Sequence, residues 1–285
     1  MTAIKDYLTL TKPTIMLLVL FTGATALVME GSLLSRPFDF LLVMLALYLT
    51  GGCANALNQY FERDIDARMS RTSKRRPLPQ SRLRPGQALT FSVTIGALGV
   101  FIFAFWFNWL AALLSLVTIL FYSLLYTLIL KPRTSQNIVI GGAAGAMAPV
   151  GAWAAATGGT AVAPWLLFLI VFLWTPPHFW ALAMAYKDDY IKAKLPMMPV
   201  VKGDQFTLYQ MLLYSLALIV VTLALPFFGA GWLYLVSAVL LGGLFLKRLQ
   251  EVRRGHSDAS LKKLFGYSIL YLFGVFLAAA VDSLL

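Results

Sequence analysis

The sequence predicts an all-α, polytopic membrane protein, with nine transmembrane helices around a central cavity, and three observations carry that prediction. Of 285 residues, 60% are hydrophobic and only 12% charged, with a mean hydropathy of +0.78, which sets the chain apart from soluble domains. Apolar runs of about 20 residues, enough to cross a bilayer, recur along its length. The basic residues fall in the gaps between those runs, and almost all of them in gaps that share one face.

The spans are predicted at 14–33, 38–58, 87–107, 109–130, 137–157, 164–185, 206–228, 230–247 and 263–284. The first reads as a retained helix rather than a cleaved leader, because Lys5, Asp6 and Lys12 lead into a full-length span with no small-residue cleavage pattern after it. Very short links, such as the one near residue 108, force antiparallel neighbours. With this count, all but Arg36 of the 23 basic residues gather on one face. That asymmetry places the N-terminus and the loops 59–86 and 186–205 in the cytoplasm and the C-terminus outside. The same asymmetry accounts for the net charge of +11 without nucleic acid as a partner. The second and sixth spans each end in an acidic and basic loop with a proline-terminated run, a faint internal repeat that would bring both loops over a shared cavity. No separate soluble domain is expected, so residues 1–285 read as one integral-membrane unit.

Cys53, the lone cysteine, lies in an apolar run and reads as a small buried residue. His256 lies in the polar stretch RRGHSDAS and reads as solvated. Gly142 and Ala146, in a run rich in small residues, read first as positions that let neighbouring helices approach closely, although the same small side chains would also open a slot for a flat, bulky ring system.

Residues 55–78, NALNQYFERDIDARMSRTSKRRPL, concentrate the polar chemistry. If the chain stays helical past Asn58, then Asn58, Glu62 and Asp66 follow at i, i+4 and i+8 on one face, and Asp64 points elsewhere. Hard oxygen donors in that number suit Mg2+ shared with substrate phosphates rather than zinc or copper. Arg63, Arg68, Arg71, Lys74, Arg75 and Arg76 surround them. The plain alternative is charge balance in a basic loop, but three carboxylates and an Asn within nine residues exceed what balance needs. A second polar cluster, Lys187, Asp188, Asp189, Tyr190, Lys192 and Lys194, follows the sixth span and forms the opposite jaw. Metal between two acidic patches, with Arg and Lys on phosphate oxygens, implies a ligand with a diphosphate head and a hydrocarbon tail, as in a prenyl diphosphate. His178, in LWTPPHFWALA, sits where two prolines are expected to interrupt the sixth helix; a heme-iron contact, proton transfer and a hydrogen bond to a freed carbonyl all remain open to it.

Four segments in order, LNQYFERDIDARMSRTSKRRPLP, LKPRTSQNIVIGGAAGAMAPVGAWAAATG, LWTPPHFWALA and YKDDYIKAKLPMMPVVKG, resemble the protoheme IX farnesyltransferases (heme O synthases), a branch of the UbiA superfamily of intramembrane prenyltransferases. The likeness runs from LTKPTIMLL to KKLFGYSILYL. It implies a UbiA-like fold in the cytoplasmic (inner) membrane and a Mg2+-dependent transfer of a farnesyl group from farnesyl diphosphate to a vinyl group of heme B. Water adds in the same reaction, which gives heme O and diphosphate. Carried onto this sequence, the first acidic motif falls on Asn58, Glu62 and Asp66, with Gln59 in place of the usual Asp and Asp64 as a candidate substitute. Arg71, Arg75, Arg76, Lys187 and Lys192 would bind the diphosphate. Glu62, Asp66, Asp188 and Asp189 would hold Mg2+, and the second motif is incomplete because Lys192 stands where an Asp is expected. His178 would contact heme. Heme-processing or terminal-oxidase assembly proteins are implied partners. The rival readings are a UbiA-type enzyme for a quinone precursor, a chlorophyllide or a lipid acceptor, and a membrane transporter.

Overall fold

A computed structural model of the chain describes residues 2–255 and 257–285, apart from the side chains of Thr2, Ala3 and Arg71; His256 and the Arg71 side chain therefore lie outside the described residues. After a short N-terminal helix, Thr2–Leu10, nine helices of membrane length and apolarity are present among the described residues: α1 (Pro13–Glu30), α2 (Pro37–Asp66), α3 (Pro85–Phe107), α4 (Trp109–Arg133), α5 (Asn137–Thr157), α6 (Val162–Ala185), α7 (Gly203–Phe228), α8 (Trp232–Gly255) and α9 (Asp258–Asp282). Among those residues there is no strand. Their order and number match the hydropathy reading, as expected where every backbone group must be paired inside lipid.

Helix ends follow local chemistry rather than hydrocarbon length. Prolines at or next to the first turn start α1, α2 and α3, where the missing N–H costs nothing. Asn108 caps α4 by accepting from the Ala111 N–H, and Ser257 caps α9 by accepting from Ser260. The clearest departures from the sequence boundaries are at polar ends. Helix α2 runs to Asp66 rather than 58, α8 to Gly255 rather than 247, and α9 begins at Asp258 rather than 263. Charged residues do not stop a helix that has left the bilayer.

The expected interruption at Pro176–Pro177 does not occur. Helix α6 continues through both residues, and it has the largest buried share of the nine spans. Packing on nearly all sides holds the helix where its internal ladder lacks two donors.

Helix α2 packs on α3 and α4, and α6 on α5, α7 and α9, while α1 lies against α2, α5 and α9 and joins the two sets. Close approaches depend on small residues: a Cβ on Gly141 of α5 would overlap the Tyr126 ring of α4, and one on Gly142 would come within 2.9 Å of Thr175 on α6. Outward faces carry Leu17, Leu41, Leu45, Phe101, Phe105, Val220 and Leu240, all exposed, as suits a lipid-facing surface. Over Phe121–Leu130, α4 widens to π-helical geometry, and the Thr127 hydroxyl donates to the Tyr122 carbonyl five residues back at 2.8 Å. Such widened turns often occur at functional sites.

Candidate functional site at the basic end of the bundle

Because α2 stays helical to Asp66, Asn58, Glu62 and Asp66 do stack on one inward face, each only 2% exposed. Asp64, off that face, is exposed, so the geometry leaves it out of the cluster. The burial of two carboxylates at a helix end requires partners; two cations supply them and a third binds the neighbouring Asn58, each from a different part of the chain. Lys131, from the end of α4, pairs with Glu62. Arg76, from the loop after α2, pairs with Asp66 and reaches Glu62 Oε2 at 3.7 Å. Lys12, just before α1, donates to Asn58 Oδ1 at 2.8 Å. Burial holds the Lys12 ammonium well below the usual lysine range; Arg76 and Lys131 push the same way, and Glu62 and Asp66 oppose them.

The local backbone explains how these groups arrive. Lys12 has a left-handed conformation, φ 52°, at the turn between the N-terminal helix and α1, which is unusual for a residue with a side chain. Gln59 pins that turn, its Nε2 donating to the carbonyls of Thr9 and Leu10 at 3.0 Å each. The position where the superfamily pattern has an acidic residue is thus occupied by a side chain that secures the N-terminal helix. On the other side, Asn58 Nδ2 donates to Thr127 Oγ1 at 3.1 Å, so the widened part of α4 holds the Asn, and Lys131 just after it holds the Glu one turn on. The loop after α2 folds back through Thr72, whose hydroxyl donates to the Asp66 carbonyl at 2.8 Å.

The second acidic cluster is only partly drawn in. Asp189, on the short helix Lys187–Lys192, is buried and its Oδ2 accepts from Ser70 Oγ at 2.6 Å, which ties the two polar loops together. Asp188 is exposed. Lys187 is paired with Asp204 at 2.8 Å rather than turned to the first cluster. Lys192 and Arg75 are exposed. In the sequence Lys12 and Lys131 register only as topology signals; their role depends on a backbone turn and a helix widening that carry no linear motif.

Two observations bear on a metal ion. Glu62 Oε2 is buried and accepts no hydrogen bond, so a carboxylate oxygen is left for a hard cation beside Asp66 and Asn58. Among the described residues no three His, Cys, Asp or Glu side chains stand close enough to share an ion, so carboxylates alone do not enclose a cation here.

His178 lies elsewhere, seven residues before the end of α6, or about 10 Å along the helix at 1.5 Å per residue. It is buried, and its ring is stacked between Trp174 of α6 and Phe265 of α9, with centroids 4.1 and 4.4 Å away. Nδ1 meets Ser268 Oγ at 2.6 Å.

The sequence pattern of the UbiA prenyltransferase family matches residues 18–278. A protein of Erythrobacter litoralis named Protoheme IX farnesyltransferase is 46% identical over 99% of this chain and 93% of its own length. One of the same name from Alkalilimnicola ehrlichii is 47% identical over 98% and 92%. Among solved structures, one described as digeranylgeranylglyceryl phosphate synthase superposes with a TM-score of 0.81 at 19% identity, covering 99% of both chains. A UbiA homolog from Archaeoglobus fulgidus bound to DMAPP and Mg2+ gives 0.67 at 18% identity, covering 97% of this chain and 99% of that one. At such identities these two likenesses speak for the fold.

Proposed function

Since the chain belongs to the UbiA prenyltransferase family, we propose that it moves a farnesyl group from farnesyl diphosphate to a vinyl group of heme B and, with the addition of water, yields heme O and diphosphate. The observation that carries this reading is identity near 46% over almost the full length with proteins named for that reaction. The buried cluster on α2 supplies the chemistry it needs.

Glu62 and Asp66, with Asn58 beside them, would hold Mg2+, which when bound supplies positive charge against the diphosphate. Lys131 and Arg76 are paired with those carboxylates in the structure; with substrate present they can exchange carboxylate for phosphate oxygens, a bidentate opportunity in the case of Arg76. Their charge is fixed in place before reaction, so it stabilises the electron pair that the departing diphosphate takes from the allylic carbon. The vinyl π electrons of heme then form the new C–C bond. Water adds to the cation left on the porphyrin side chain and loses a proton. Asp189, tied to Ser70, would stand on the second side of the same site. Arg71, Arg75, Lys187 and Lys192 remain candidates for later substrate contacts, as does Asp188 for metal. His178 is the candidate heme contact. From the distribution of Lys and Arg, the basic end of the bundle is assigned to the cytoplasm and the C-terminus to the outer side; the whole of 1–285 is assigned to one domain in the inner membrane. Heme-processing or oxidase-assembly proteins would supply heme or take the product.

Purified protein given heme B, farnesyl diphosphate and Mg2+ should form a heme of greater hydrophobicity with a mass gain of one farnesyl group plus one hydroxyl. No such product under conditions where a known enzyme works, or transfer only to a quinone precursor or a lipid, would overturn the assignment. Omission of Mg2+ tests its part separately.

A further inference from the structure

Helices α6 and α9 meet through a polar joint within an otherwise apolar contact. Trp174 and His178 lie at i and i+4 on α6, and Phe265 and Ser268 at i and i+3 on α9, so each pair shares a helix face. Trp174 Nε1 donates to the Ser268 carbonyl at 2.7 Å. The imidazole stacks between Trp174 and Phe265, which fixes its plane. Ser268 is fully buried, and its hydroxyl donates to the Phe265 carbonyl at 2.6 Å while Oγ also lies 2.6 Å from His178 Nδ1.

The hydroxyl has one proton, and a carbonyl can only accept. With that proton on the Phe265 carbonyl, Oγ is left as an acceptor, and Nδ1 must be the donor. A neutral imidazole protonated at Nδ1 has its lone pair at Nε2. No hydrogen bond to Nε2 is present among the described residues, and the residue is only 6% exposed. A purely structural histidine in an apolar joint would have both nitrogens satisfied. Here one nitrogen is anchored and the other carries no such bond.

We propose that Ser268 is a positioning residue that holds His178 as the Nδ1–H tautomer, so that Nε2 presents its lone pair to the iron of bound heme B. This rests on the reading of heme B as the acceptor substrate. It agrees with the general behaviour of metal-binding histidines, whose other ring nitrogen donates to a fixed acceptor that sets tautomer and direction. The Ser268 hydroxyl has its own orientation set by the Phe265 carbonyl on α9, and the two flanking rings fix the plane in which Nε2 lies.

The chain has two histidines, so 15N-histidine labelling in a His256→Gln background isolates His178 with no heme present. The wild-type residue should show the Nδ1–H tautomer, and Ser268→Ala should lose it. In heme titrations Ser268→Ala should weaken binding by about 10–100-fold, the usual effect of removing such a partner, and shift the Soret band, while Ser268→Thr, which keeps the hydroxyl, should restore both. A wild-type Nε2–H tautomer overturns the proposal. So does a Ser268→Ala spectrum and affinity equal to wild type. If His178→Ala leaves the heme spectrum unchanged while farnesyl heme is still made, the iron contact falls and the transferase reading stands. Failure of wild-type protein to make farnesyl heme removes that reading, with the tautomer result unaffected.

Discussion

The two acidic clusters at the basic end of the bundle have similar compositions and different fates. Residues 58–66 form the last turns of a long helix, and their period brings Asn58, Glu62 and Asp66 into one buried column. Residues 187–192 form a six-residue helix of their own, in which adjacent Asp188 and Asp189 point to different sides; one is exposed and the other buried against Ser70. The difference shows that acidic residues become a site through the element that carries them. A rigid helix anchored by the whole bundle can hold carboxylates away from water, because cations from two other segments are brought to meet them.

This comparison can be broken most directly at the first cluster. Glu62→Gln and Asp66→Asn each keep shape but remove charge, and turnover with farnesyl diphosphate should fall on the order of 10²–10³-fold, the scale for loss of one fixed electrostatic contact. Turnover within a few-fold of wild type would mean that the column is structural. Next in size, Arg76→Met and Lys131→Met should raise the KM for farnesyl diphosphate by roughly 10–100-fold, at about 1.4 kcal/mol for each factor of ten. Steady-state kinetics with the prenyl donor varied would show it, and a change confined to kcat would place the loss in the transition state alone.

The second cluster should respond less. Asp189→Asn and Ser70→Ala should each lower activity by about tenfold, and a double-mutant cycle should return a coupling on the order of 1 kcal/mol if their hydrogen bond is what joins the loops. Additive losses would separate them. Asp188→Asn, at an exposed position, should alter activity by less than about twofold, as exposed charges generally do. An effect as large as that of Asp66→Asn would reveal a rearrangement on substrate binding that brings Asp188 inward.

Hydropathy and charge made most of the fold legible, since a chain that crosses lipid has few options for its backbone. The i, i+4, i+8 spacing likewise made Asn58, Glu62 and Asp66 legible as a column with Asp64 off it, against the resemblance, which offers Asp64 as a substitute in the acidic motif; in the structure Asp64 is exposed. What remained hidden had a different physical basis. Lys12 and Lys131 reach the site by way of a left-handed turn and a widened helix, neither marked by glycine or proline at the position itself. Pro176 and Pro177 suggested a broken helix, because local rules do not include the packing that surrounds α6. Gln59 looked like a gap in a metal motif, yet it binds two carbonyls that lie 49 and 50 residues earlier in the chain. Ser268, ninety residues from His178, had no signal of its own.

The widened turns of α4 carry one more consequence, which concerns angular phase. In an ordinary helix each residue advances about 100° around the axis; a stretch with more residues per turn delays everything that comes after it. Residues 121–130 therefore act as a phase shifter placed before Lys131. Removal of one residue from the regular turns of α4 just before that stretch would rotate Lys131 about 100° relative to the turns that precede it. Its charge would leave the Glu62 face, although neither the composition of α4 nor its length as a membrane crossing would have changed appreciably. The site thus depends on a count of residues along a lipid-spanning helix as much as on which residues they are.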